Sequence, residues 1–523
     1  MNWLELLNSL ESDKERNEPL YAQIMHRIEA AITSGQLPDN SRLPTNRELA
    51  ALLKIDRSTV ARAYLELSQS GMIESHVGRG TFVRPAHLRQ KSRPESKANP
   101  PMVWSEKFAR ASQTAYDIMS RQPATTALGS DMISFAGGIP TEEFYPHEQF
   151  ERMVRQLVKS GQCNEMFGYS PAEGHPLLRD EVKKHLQLQG IKADDDQLLI
   201  VSGSQQAIDL VTNVLVDPQD NVLLEEPSYF WAILNFRSRQ ARCVAVPVDD
   251  DGLRTDALES ILARQKAKLL YVMPSFQNPT GATMPIERRK RLLELAQEYC
   301  LPILEDNFVG DLNYDAPKLP PLKAMPQGQD LVIYQGTFSK ALCPGLRLGW
   351  LVAPRDVMSR LRLAKRTSDL STNSTAQIIL AKYLNEGLYA AHLDGVRKIY
   401  QSRRDTMLDA LKKIGSYEGL RVKFSQPQGG LFVWAKLPQG LSARELLNYA
   451  EREGVTFSPG DLFFVNQDRQ EYFRLCFIQT DEAVIQEGVD RLARAVSTYF
   501  EQMAKSNAYA YIARAKSSEH VLI

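Results

Sequence analysis

The sequence predicts two folded parts: a small N-terminal winged helix-turn-helix, then a large α/β unit with a mainly parallel sheet and a smaller C-terminal lobe. Three observations predict this division. Short helical stretches separated by a few residues, then two β-prone runs, fill residues 20–83. Beyond about residue 130 apolar strand-like runs alternate with amphipathic helical stretches, as a parallel sheet with crossover helices requires. Between the two, residues 84–101 are rich in Pro, Ser and charge and poor in large apolar side chains, the composition of a linker. The expected boundaries are 15–84 for the first unit, 85–125 for the linker and 126–505 for the second. Within the last, the large lobe covers about 150–385, and the small lobe about 386–505 together with the unit's N-terminal segment.

Taken in order, LYAQIMHRIEAAITS places Leu20, Ile24, Ile28 and Ile32 on one helical face and stops at Gly35. Thr45 and Glu48 form a capping-box signature ahead of a short helix, Glu48 to Leu53. Asp56 or Ser58 caps the next helix, ARAYLELSQS, which ends at Gly71. MIESH and TFV, around Val77-Gly-Arg-Gly80, form a hairpin wing. In the large unit LLIVSGS, NVLLEEP, KLLYVMP, LPILEDN, LVIYQGT and GWLVAP read as strands, with QQAIDLVTNVLV and IERRKRLLELAQEY as helices between them. The tail from Ser506 to Ile523 is small, polar and of mixed charge.

Composition narrows the function classes. The chain has 523 residues, with 63 Lys and Arg against 63 Asp and Glu. That balance excludes a highly basic coat protein and wholesale disorder. Residues 42–97 nevertheless carry eleven bases against five acids, the local surplus that a phosphate-binding surface needs, offset by an acidic stretch over residues 1–41. No apolar run is long enough to span a membrane, and the start MNWLELLNSLESDKER has acids where a signal peptide has bases, so the expected location is the cytoplasm. Five scattered cysteines form neither a CxxC nor a Cys/His cluster, so neither a disulfide framework nor a metal site is expected.

SRLPTNRELA, IDRSTVARAYLELSQSGMIES and GRGTFV together resemble the GntR-type DNA-binding domain over nearly its whole length. The resemblance puts Arg57, Ser58, Thr59 and Arg62 at the front of the recognition helix. There, short polar groups reach phosphates and an arginine can read guanine edges. It also implies phosphate contacts from Arg42, Arg47 and the wing's Arg79, with Thr45 beside them.

Four strand-end junctions of the large unit carry unusual chemistry: Ser202-Gly-Ser-Gln-Gln206, Gln277-Asn-Pro-Thr-Gly281, Glu305-Asp306 and Gly336-Thr-Phe-Ser-Lys-Ala-Leu-Cys-Pro-Gly-Leu-Arg-Leu-Gly349. Ligands of α/β sheets sit at these carboxyl ends. A lysine, an arginine, nearby hydroxyls, an upstream aspartate and a helix start suited to an anion fit pyridoxal phosphate, whose aldehyde, phosphate and ring nitrogen each need a different partner. Over about residues 130–505 the chain resembles the fold-type I, class I/II aminotransferases. By that resemblance Lys340 forms the Schiff base, Asp306 pairs with the ring nitrogen, Asn278 binds the ring hydroxyl and Tyr229 lies against the ring. Ser204, Gln205, Thr337, Ser339 and Arg347 hold the phosphate, Tyr169 reaches a neighbouring subunit's phosphate, and Arg474 grips a carboxylate as a bidentate fork.

The two halves together resemble the MocR-type bacterial transcription regulators, which implies operator DNA, an amino-acid-like or pyridoxal phosphate effector, a homodimer, and a nucleoid location when bound to DNA. Phe308 stands where such regulators carry a tyrosine, which removes one donor to the ring hydroxyl. The alternative expectation is a working class I/II aminotransferase acting on an amino acid and a 2-oxo acid. The Lys340 and Arg474 set favours it; the recognition helix, the basic stretch and Phe308 favour the regulator.

Overall fold

The computed structural model describes residues 3–7, 19–76, 80–88, 102–120, 131–161, 163–315, 317–415, 422–466 and 468–505. Contacts divide the chain into two compact units, residues 1–110 and 111–523. Among the described residues no helix is long and apolar enough to cross a membrane.

In the first unit helix α1 (Leu20–Thr33) buries Ile24, Ile28 and Ile32 on the four-residue spacing of one helical face. Strand β1 (Arg42–Leu43) leads into α2 (Asn46–Leu53), which starts two residues earlier than the sequence reading placed it. Thr45 and Glu48 close a reciprocal capping box, so the Thr45 side chain serves the helix first. Lys54 takes a left-handed conformation at the C-cap, and Asp56 then caps α3 (Arg57–Gln69) by accepting from the Ser58 amide at 2.7 Å. Of the two caps left open by the sequence, Asp56 is the one used, and the recognition helix gains its first turn, Arg57 to Val60. Val60, Ala63 and Leu67 close the core against α1. The wing strands β2 (Ile73–His76) and β3 (Gly80–Val83) form a three-stranded antiparallel sheet with β1, in the order β1-β3-β2. Arg42, expected as a phosphate contact, is thus also a strand residue of that sheet, paired with Phe82. Trp3–Leu6 forms a helical turn whose neighbour Leu7 enters the same core, ahead of the boundary expected at residue 15.

The segment 85–125 is not featureless either. The Ala86 amide donates to Asp39 at 2.8 Å, and Arg110–Ser120 is an eleven-residue helix with an exposed Tyr116. Composition alone gave no sign of that helix because its apolar residues do not reach a core.

The second unit is organised by an eight-stranded sheet: β4 (Leu198–Val201), β5 (Asn221–Glu226), β6 (Arg242–Asp249), β7 (Gly252–Leu253), β8 (Leu269–Val272), β9 (Ile303–Asn307), β10 (Val332–Thr337) and β11 (Gly349–Val352). The order is β4-β11-β10-β9-β8-β5-β6-β7, parallel except for β11 and the short β7. Strands β4 and β8 are buried along their whole length, as expected of strands covered on both faces. A second, four-stranded antiparallel sheet contains Phe432–Lys436 and Tyr472–Cys476 and packs with the long helices Leu388–Gly415 and Glu482–Lys505. Ile133–Ser134 pairs in parallel with Val455–Thr456, so the segment that opens the second unit belongs to this C-terminal lobe.

Candidate functional site

The first unit presents Arg42, Arg47 and Arg57 exposed, with Ser58 and Thr59 half-buried at the start of α3. Gly80, at φ +112°, leaves room for Arg42: a Cβ there would lie 3.0 Å from its Nε. Arg62 is less free than the sequence suggests. Its guanidinium stacks 3.7 Å from the Tyr21 ring centroid and donates to the Tyr21 hydroxyl at 3.1 Å, which fixes it between α1 and α3. Arg79 lies outside the described residues.

In the second unit the four junctions meet at the carboxyl ends of β4, β8, β9 and β10. Val201 and Thr337 both pair with Gly349, which brings the Ser202–Gln206 turn beside the Thr337–Ser339 turn. Helix α4 (Ser204–Leu215) starts in the first of these turns, so the amides of Ser204 and Gln205 are first-turn donors without helical partners. Gly203 has φ +85°, and a Cβ on it would stand 2.7 Å from Arg347 Nη2; only glycine lets the arginine cross this turn. Thr337 Oγ1 donates to the Leu348 carbonyl at 3.1 Å and accepts from the Ser339 amide, which orients the Ser339 hydroxyl in the same cup. Gln205 donates to the Trp231 carbonyl at 3.5 Å, two residues beyond Tyr229.

Lys340 is largely buried, and burial first, with Arg474 and Arg347 nearby, lowers its pKa from the ordinary lysine value. An amine so disposed spends more time neutral and nucleophilic. It donates to the Gly138 carbonyl at 2.8 Å. Asp306 is 2% exposed; burial raises its pKa to about 6, opposed by a 2.6 Å hydrogen bond that Tyr271 donates to its Oδ2. Its Oδ1 has no partner in hydrogen-bonding geometry. A buried carboxylate with one oxygen held and the other open fits a cationic ring N–H, so the residues present fit pyridoxal phosphate on chemistry as well as on order. Burial also raises the Tyr229 pKa, to about 12, so its hydroxyl stays protonated, and Asp306, Arg474 and Arg347 all act on it.

Arg474 is 9% exposed, and burial lowers its pKa to about 10. It donates to Asn278 Oδ1 at 2.8 Å, to the Ala136 and Gly137 carbonyls at 2.9 and 3.1 Å, and to Ser458 Oγ at 3.3 Å. Phe432 lies 3.9 Å from the guanidinium carbon. Asn278 and Arg474 are therefore directly linked. Tyr169 is not brought in: it is 86% exposed, on a surface turn with Ser371–Thr375.

Sequence reasoning missed Tyr271, Glu225 and the 136–138 carbonyls. A tyrosine and a glutamate inside apolar strands were the available signals. Tyr271 gives its only hydroxyl proton to Asp306 and does not replace the donor missing at Phe308, whose half-buried ring packs between the two cores of the unit. Glu225 is fully buried. Its Oε2 accepts from the Met273 amide at 3.0 Å and from Gln277 Nε2 at 3.3 Å, which sets the loop that carries Asn278, while Oε1 has no partner. Burial pushes its pKa up to about 8. The folded chain thus holds a proton that the unfolded chain releases near pH 4.5, and stability of the cofactor-free protein falls as pH rises from there to about 8. Glu225→Gln keeps both accepted hydrogen bonds and should remove that loss: about 4 kcal/mol gained at pH 8 and almost nothing at pH 4.5, read from urea unfolding at both pH values.

Comparison with known proteins agrees with this geometry. Residues 131–492 match the family described as Aminotransferase class I and II, and residues 20–83 match the bacterial regulatory proteins of the gntR family. The HTH-type transcriptional regulator YdfD of Bacillus subtilis is 30% identical over 92% of this chain and 97% of its own length. The probable rhizopine catabolism regulatory protein MocR of Rhizobium meliloti is 28% identical over 92% of this chain and 95% of its own. The crystal structure of LysN, an α-aminoadipate aminotransferase from Thermus thermophilus complexed with N-(5'-phosphopyridoxyl)-L-leucine, aligns at a TM-score of 0.71 and 36% identity, covering 77% of this chain and all of that one. With a reader of one family joined to a cofactor unit of the other, the chain belongs to the class I and II aminotransferase family and has the architecture of the MocR-type transcription regulators.

Proposed function

We propose that this protein is a homodimeric regulator that binds operator DNA through α3 and the wing, and whose grip depends on what occupies the Lys340 pocket. One observation carries the effector part. Lys340 and Arg474, the groups that meet an amine and a carboxylate, both donate to successive carbonyls of Ala136, Gly137 and Gly138. A carboxylate that engages Arg474 Nη2 competes with the Ala136 and Gly137 carbonyls for its donors, so an amino acid binds two arrangements of that segment with different affinity, the condition for a ligand to shift an equilibrium. Pyridoxal phosphate, when bound, supplies an aldehyde for primary amines and an electron-accepting ring. The chain's own part is to hold the phosphate at Arg347 and the 202–206 turn, to keep the Asp306 carboxylate facing the ring nitrogen, and to present at Lys340 an amine that burial makes easier to deprotonate than an ordinary lysine. Tyr169 completes the partner subunit's phosphate site. A dimer reads two half-sites, direct or inverted according to how the readers are held. The effector is an amino compound with a carboxylate, or pyridoxal phosphate itself.

Binding to DNA fragments from around its own gene tests this. Arg57→Ala should weaken binding about 10- to 100-fold and reduce the salt dependence. Pyridoxal phosphate with an amino acid should shift the affinity or footprint of the wild type and leave Lys340→Ala unmoved. Rapid turnover of an amino acid with a 2-oxo acid, without specific DNA binding, would favour the aminotransferase reading, which the likeness to LysN supports.

A further inference from the structure

Beside the Ser202–Gln206 turn lies an ion pair, its lysine buried and its aspartate half-buried, that no cofactor contact explains. Helix α5 (Arg355–Asp369) carries Lys365 fully buried, with Nζ donating to Asp369 Oδ1 at 2.6 Å one turn on. Burying an ammonium is costly unless its partner is fixed, and a carboxylate on the last residue of a helix faces the negative end of the helix dipole. Neither placement favours helix α5 by itself. The second Asp369 oxygen accounts for both: Oδ2 accepts from Gln206 Nε2 at 2.7 Å and from Ser202 Oγ at 3.3 Å. Gln206 in turn accepts the Ser202 amide at 2.7 Å. Ser202 and Gln206 are the two ends of the turn whose middle residues are Gly203, under Arg347, and Ser204 and Gln205. One carboxylate therefore grips both ends of the turn, and the chain leaves α5 at Leu370 with a positive φ of +62°.

We propose that Asp369, locked by the buried Lys365, is a positioning residue for the cofactor's phosphate: it fixes the width of the Ser202–Gln206 turn and so the fit between that turn and the anion. The inference rests on the reading that this turn, with Arg347, takes the phosphate. The rigidity of the cup is set by a charge that never touches the ligand.

The test compares pyridoxal phosphate with pyridoxal, which has the same aldehyde and ring without the phosphate, by spectroscopic titration of the full-length protein. Arg347→Ala should weaken the phosphorylated compound alone, which checks the cup. Removing the ion pair as a unit in K365M/D369L leaves no orphaned buried charge. It should weaken pyridoxal phosphate at least tenfold and pyridoxal less than twofold. Gln206→Leu, which removes the shorter of the two Asp369 contacts to the turn while keeping the ion pair and the Ser202 contact, should give the same split and covers the case in which the double variant does not fold. If Arg347→Ala shows the selective loss while Gln206→Leu binds pyridoxal phosphate as the wild type does, or loses both compounds equally, the positioning role is wrong and the cup stands. If Arg347→Ala also fails to separate the two compounds, the cup reading falls and the proposal with it.

Discussion

Asp306→Ala is expected to lower the affinity for pyridoxal phosphate by at least a hundredfold. The carboxylate is 2% exposed and its Oδ1 has no partner in hydrogen-bonding geometry, so a cationic ring nitrogen finds there a partner shielded from bulk solvent. Breaking such a buried charge pair by deleting one member costs about 3–5 kcal/mol. The effect has a pH signature. Burial raises the Asp306 pKa to about 6 in the cofactor-free chain. A cation at Oδ1 stabilises the ionised form, so binding lowers that pKa and, by linkage, affinity falls as pH drops below about 6. The wild type should therefore lose more affinity between pH 6 and pH 5 than Asp306→Ala, in which only the protonation of the phosphate, whose second pKa is about 6, remains. Tyr271→Phe removes the donor to Oδ2 and should move the onset of the loss to higher pH, a shift that a packing defect would not produce. Equal affinity of Asp306→Ala and wild type at pH 7.5 would remove Asp306 from the ring-nitrogen role.

Arg474→Ala should abolish the protein's preference for amines that carry a carboxylate. The guanidinium is sandwiched by Phe432 and Phe463 at 3.9 and 4.8 Å, so it is held in place before any ligand arrives. A bidentate, charge-assisted contact in such a site is worth about 2–4 kcal/mol, or roughly 30- to 1000-fold. Phenylalanine and phenethylamine differ only in that group. Spectral titration of the pyridoxal-phosphate-loaded wild type should favour phenylalanine by that factor, and Arg474→Ala should bind the two within about threefold. A preference that survives the substitution would place the carboxylate elsewhere. The cofactor itself should stay bound in the variant, because Arg347 and the 202–206 turn are untouched.

Much of this was legible in the sequence, and the reasons differ by residue. Lys340, Asp306, Asn278 and Arg347 stand in junctions whose residue types fit a single cofactor, and the mainly parallel sheet follows from the alternation of strands and helices, although its strand order does not. Arg62 was legible as a surface arginine of the recognition helix but not as the partner of Tyr21, because a stacking contact between α1 and α3 leaves no pattern in either helix. Tyr271 and Glu225 were hidden for the opposite reason: inside apolar strands, a single polar side chain is read as an exception until its partner is known. Arg42 was placed at a phosphate, while its place in a strand depends on a two-residue pairing with β3, too short for any periodicity. The helix Arg110–Ser120 sits within a stretch whose average composition is that of a linker.

The place of β4 at the sheet edge has a consequence for how the protein is made. Among the described residues its one strand neighbour is β11, paired from Val201–Gly349 to Leu198–Val352, so it waits on residues synthesised about 150 positions later. Strands β6, β8, β9 and β10 can pair as they emerge, each beside an earlier one. The phosphate turn that follows β4 cannot be seated until Val352 has left the ribosome, and Asp369, which braces the turn, comes later still. A nascent or truncated chain thus has no complete cofactor cradle, and capture of pyridoxal phosphate marks a chain whose sheet has closed.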